Sequence, residues 1–74
     1  MKRIDFIIII LKKYEELREK SSKNRLCLDI YQHRINFSVE LKHYYNGVLQ
    51  KWTILTSNSL ESDIEQQKII EYLN

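Results

Sequence analysis

The chain has 74 residues, a formal charge of +2 and one cysteine. It reads as a single small domain spanning 1–74. The lone Cys27 excludes an intrachain disulfide and a Cys-based metal site, and the near-neutral charge lacks the strongly basic footprint of an electrostatic nucleic-acid binder.

In chain order, Met1-Lys2-Arg3 and the apolar run Phe6 to Leu11 have the outline of a signal peptide. Asp5, the brevity of the run, Lys12-Lys13 and the lack of a small-residue cleavage site argue against one. The run is also far short of the ~20 residues that span a bilayer. A soluble, cytoplasmic protein with no membrane partner is expected. Ile4 to Lys20 reads as a helix. Ile4, Ile7, Ile8, Leu11, Tyr14 and Leu17 recur at helical spacing, and Phe6 and Ile10 widen that stripe. Lys12, Lys13, Glu16 and Glu19 form the opposite face, onto which Ile9 projects. Ser21 to Asn24 ends the helix with residues that favour turns and caps.

Leu26, Leu28 and Ile30 alternate with Cys27, Asp29 and Tyr31, the mark of a strand with one buried face. After a turn at Gln32-His33-Arg34, a second strand alternates Ile35, Phe37, Val39 and Leu41 with Asn36, Ser38, Glu40 and Lys42. The expected register sets Ile30 opposite Phe37 and Leu28 opposite Val39. Asn46-Gly47 is the strongest local signal of the chain, a two-residue type I′ turn built on its single glycine. Counting from Tyr45 and Val48, Leu41 falls opposite Trp52, Val39 opposite Ile54, Glu40 opposite Thr53 and Lys42 opposite Lys51. The third strand then runs from Val48 to about Thr56 with Trp52 and Ile54 inward. Ser57-Asn58-Ser59 offers N-caps, with capping spacing in Asn58/Glu61 and Ser62/Glu65. A helix to the C-terminus carries Gln66, Ile69, Ile70 and Leu73 inward.

The predicted fold is α+β, in the order α-β-β-β-α. It is a three-stranded antiparallel meander with two terminal helices packed on its one apolar face, the only cover that the chain supplies. That order is similar to the double-stranded-RNA-binding domain, a likeness of topology over most of the chain. The resemblance implies a nucleic-acid-binding module. That family meets phosphates through Lys-Lys motifs at the start of its last helix. Here Leu60-Glu61-Ser62-Asp63 stands at that place, and an acidic helix start repels phosphate. The order is also similar to that of HicA-type ribonuclease toxins, which use a histidine near the second strand. That resemblance implies a general base at His33. The Gly-Ser that precedes the family's histidine is replaced by Tyr31-Gln32.

No paired carboxylates, Gly-rich phosphate loop or Ser-His-Asp arrangement is visible, so no catalytic residue, cofactor or metal ligand is expected. His43 reads as a half-buried edge residue. Five tyrosines are many for this length. Tyr31 and Tyr44 fall on the outer sheet face with Lys42, Lys51 and Leu55, a surface suited to a protein contact or to base stacking. The broad stripe of the first helix leaves Phe6 and Ile9 for a second contact, a homodimer or another protein. Phe6, Ile9, Tyr31, Lys42, Tyr44, Lys51 and Leu55 are therefore the candidate interface. The expected function is binding and modulation of another protein. The lack of Ala and Pro beside eleven Ile and two Val suggests AT-rich coding, so the concrete form expected is a phage- or mobile-element-encoded inhibitor of a host defence system, of the anti-CRISPR type.

Overall fold

A computed structural model describes residues 1–74, apart from the side chain of His33. The elements are α1 (Arg3–Lys20), β1 (Asn24–His33), β2 (Asn36–Tyr45), β3 (Val48–Thr56), α2 (Ser57–Glu61) and α3 (Asp63–Leu73). The strands form an open antiparallel meander in the order β1-β2-β3. The α+β order with helices at both ends is the one the sequence predicts. All three helices lie on one face, where Val39, Leu41 and Leu55 meet Phe6, Ile10, Leu60, Ile69 and Leu73 in the core.

The Asn46-Gly47 turn is present, with positive φ at both residues (52° and 80°) and Tyr45 paired with Val48. The register beyond it differs from the count. A β-bulge gives β3 one extra residue, Gln50, so that Tyr44 pairs with Leu49 but His43 with Lys51. Every later pair moves by one, and each side chain changes face. Leu41 therefore stands opposite Thr53, not Trp52, and Val39 opposite Leu55, not Ile54. Trp52 is 59% exposed, whereas Leu55 is 2% exposed and belongs to the core. The assignments of Trp52 and Ile54 to the interior and of Leu55 to an outer interface are overturned together.

The first hairpin turns at Arg34-Ile35, with Arg34 at φ 57° and His33 paired with Asn36. Ile30 pairs with Val39 and Leu28 with Leu41. This is two residues from the expected register, an even shift that keeps each side chain on its expected face. Ile35 sits in the turn and is almost wholly exposed instead of opening the buried row.

Helix α1 is rotated relative to its predicted stripe. Phe6 and Ile10 are fully buried and Leu17 packs beside the core, while Ile4, Ile8 and Leu11 are exposed. Six consecutive apolar residues define no single face; packing buries Phe6 and Ile10, and two contacts brace that orientation. Asn24 Nδ2 donates to the Leu17 carbonyl at 2.9 Å, and Arg3 Nη2 lies 2.8 Å from Glu61 Oε1 with its guanidinium 4.8 Å from the centre of the Phe37 ring. Phe6 is thus a core residue and not an interface residue.

The C-terminal segment is two helices, broken at Ser62, whose ψ of 119° is extended. Ser62 Oγ accepts the Glu65 N–H at 3.4 Å, realising one of the two capping spacings; α2 starts without a side-chain cap. Gln66 is buried as expected. Its Nε2 donates to the Leu60 carbonyl at 2.6 Å and to the Met1 carbonyl at 2.9 Å, tying α1, α2 and α3 together.

Candidate functional site

With every helix on one side, the other face of the sheet is left open. Alternation along the strands places Arg25, Cys27, Asp29 and Tyr31 of β1 there, with Ser38, Glu40, Lys42 and Tyr44 of β2. From β3 the bulge brings Leu49, Trp52 and Ile54. Tyr31, Leu49, Trp52 and Ile54 are all exposed large side chains. Three strands therefore present a surface in which aromatic and aliphatic groups surround a charged centre.

Trp52 is held at that centre. Its Nε1–H donates to Glu40 Oε2 at 3.2 Å, and the Lys42 ammonium lies 5.9 Å from the centre of its ring. Lys42 Nζ is 3.4 Å from Glu40 Oε1. The hydrogen bond and the charge of Glu40 hold the Lys42 ammonium above its usual pKa range. Ring, carboxylate and ammonium orient one another, so the indole is a fixed anchor in spite of its exposure. Asp29 stands directly opposite Glu40, and like charges at such a cross-strand position repel.

Among the seven residues expected to form an interface, Tyr31, Lys42 and Tyr44 meet on this face. Phe6 and Leu55 are buried, and Ile9 is half-buried on α1. Lys51 is on the covered side, paired with His43, with its ammonium 4.9 Å from the centre of the Tyr72 ring. The expected Lys42/Lys51 repulsion does not arise, because the bulge pairs Lys42 with Trp52. Sequence reasoning missed Trp52 and Ile54 as surface residues. The signal available was Gln50-Lys51, a polar pair beside the turn that an extra residue in β3 accommodates.

His43 lies not at an edge but on the central strand, on the helix-covered face near the second turn, half-buried and paired with Leu26 and Lys51. Its Nε2 is 3.0 Å from Asn24 Oδ1 and its Nδ1 is 2.9 Å from the Tyr72 hydroxyl. Burial lowers the His43 pKa and raises that of Tyr72. The expectation of a general base at His33 falls on a side chain outside the described residues. Among the described residues no group of three or more His, Cys, Asp or Glu is placed to hold a metal ion, and no helix is long and apolar enough to cross a membrane. Compared with family models, with characterised proteins and with solved structures, the chain shows no match in any of the three.

Proposed function

We propose that this chain is a non-catalytic binding module that docks on another protein through the open face of its sheet and modulates it in the cytoplasm. The observation that carries the reading is Trp52, more than half exposed yet fixed by Glu40 and Lys42. Trp, Tyr and Arg dominate the energetically decisive positions of protein interfaces, and a side chain already ordered loses little entropy on docking. Tyr31, Leu49, Tyr44 and Ile54 give that anchor an apolar surround, and Arg25 adds a cation opposite Tyr44.

Base stacking on the same aromatics is the rival use of this face. Asp29 and Glu40 are matched on this face by Arg25 and Lys42, so it lacks the basic excess that a phosphate backbone calls for, and this favours the protein reading. The concrete form proposed is an inhibitor of a host defence system, encoded by a phage or mobile element; small size and AT-rich coding support that form. The test is affinity capture from a low-GC bacterial lysate, with and without nuclease. A specific protein retained after nuclease and lost with Trp52→Ala is the expected result. Retention that vanishes with nuclease, or that Trp52→Ala leaves unchanged, overturns the reading. RNA cleavage by the purified chain that is lost on His33→Ala replaces it with the ribonuclease reading.

A further inference from the structure

β1 is an edge strand, and among the described residues no other strand pairs with its outer side. The Asn46 N–H donates to the Lys23 carbonyl, which fixes the alternation along β1. Odd-numbered residues turn their backbone groups toward β2, so those of Leu26, Leu28 and Ile30 turn toward the open edge. Exposed edges are normally blunted by prolines, bulges, short length or inward charges. This edge is ten residues long, Asn24–His33, has neither Pro nor Gly, and carries no charge on its inward row. The bulge of this sheet lies between β2 and β3, away from it.

The apolar surface continues from this edge onto α1. Ile30 faces the helix side and is still 55% exposed, and Ile4 and Ile7 line a shallow groove with Ile30 and Phe37. Leu11 follows on the same flank of the helix at the i+4 spacing from Ile7 and is exposed. The inward row of β1 reads Asn24, Leu26, Leu28, Ile30, Gln32, which is polar at both ends and apolar at its three central positions. Such a row matches its own copy reversed. The outward row carries Arg25 and Asp29, opposite charges on one strand.

We propose that β1 pairs antiparallel with β1 of a second copy of this chain about a twofold axis at Leu28. Leu28 then faces Leu28 of the second copy, Leu26 faces Ile30, and Asn24 faces Gln32. On the outward side Arg25 lies opposite Tyr31 of the second copy and diagonal to its Asp29, twice over by symmetry. Two three-stranded sheets become one of six strands, and the exposed isoleucines of the two α1 helices meet over the seam. The open faces carrying Trp52 are left free, so the pairing stands or falls independently of the proposed function.

Sedimentation of the full chain across a concentration series, with amide exchange on the same samples, tests the pairing. The expected result is a reversible dimer in which the Leu26, Leu28 and Ile30 amides slow as concentration rises, while those of Cys27 and Asp29 are protected throughout. Ile30→Lys places a charge at the seam and should weaken the dimer by about tenfold or more with circular dichroism unchanged. Arg25→Glu should also weaken it, and Arg25→Glu with Asp29→Arg should restore it. Ile54→Glu, on the open face, should leave it alone. A monomer up to about 500 µM, a dimer whose Leu26, Leu28 and Ile30 amides stay unprotected, or a double reversal no tighter than the single one overturns the proposal.

Discussion

At the scale of single residues, the most connected polar group is the relay through Asn24, His43 and Tyr72. Asn24 gives both amide hydrogens to the backbone, to the carbonyls of Leu17 and Ser21. Its Oδ1 is left as acceptor, so His43 Nε2 carries the proton and Nδ1 accepts from the Tyr72 hydroxyl. The relay ties the end of α1 to β1, β2 and the end of α3. Its chemistry requires a neutral imidazole, which burial also favours. The unfolded chain binds this proton more readily than the folded one. The contribution of neutral His43 is therefore complete above the ordinary histidine value of about 6.5 and is lost as pH falls through it toward the lower folded value. The denaturant midpoint should decrease as pH falls from about 7.5 to about 5, and His43→Gln should flatten that decrease. An equal slope in the variant would show that His43 contributes nothing to it. Only the half-buried position of His43 was legible beforehand. Its partners lie 19 and 29 residues away in the chain, and no local pattern announces a contact at that separation.

At the scale of elements, one inserted residue decides which side of β3 is the core. The strands, the second turn and the position of α1 follow from alternation, from Asn-Gly and from the charged continuation of the helix, all of them local signals. The bulge at Gln50 has only the polar pair Gln50-Lys51 as a local signal, and the choice of face depends on what β3 packs against after it. Both choices of face put apolar residues inward, Trp52 and Ile54 in one and Leu55 in the other. The helices favour the narrower row, in which Leu55 packs with Val39 and Leu60. Leu55→Ala should cost ~2–5 kcal/mol in denaturant unfolding, enough to unfold much of so small a domain. Trp52→Ala should cost under about 1 kcal/mol, since it removes a largely exposed ring and leaves no cavity. The reverse order of the two would restore the register without a bulge. Gly47→Val should cost ~1 kcal/mol or more. A Cβ at Gly47 would meet nothing within 4 Å, so this loss comes from the positive φ alone, and Gly47→Asn should recover part of it. The rotation of α1 was illegible for a related reason. With apolar residues on every side from Phe6 to Leu11, packing against Val39, Leu41 and Leu55, far along the chain, decides which of them face in.

At the scale of the whole molecule, the helices cover one face of the sheet and leave the other face and the β1 edge open. The composition signalled this excess of apolar surface. Sequence reasoning placed it on α1 and on the outer sheet, and of the seven residues named for an interface Tyr31, Lys42 and Tyr44 stand on the open face. The faces were legible wherever the strand count was even, as across the first hairpin, and illegible beyond the odd residue of the second.

The meander has one further consequence, for the speed of folding. Each strand pairs only with its neighbour in sequence, across turns of two residues. The distant contacts are those of the helices with the sheet and with one another, such as His43 with Tyr72 and Arg3 with Glu61. Hairpins form in roughly 1–10 µs, and proteins with mostly local pairings cross their barrier early and fast. The chain has no proline, so no slow isomerisation of a prolyl bond can delay part of the population. Stopped-flow refolding at low concentration should therefore be one exponential, complete within about a second, with no phase of tens of seconds. Docking of α1 against α3 is the step that closes the longest loop. Leu73→Ala should slow refolding less than it speeds unfolding, if that docking follows the sheet.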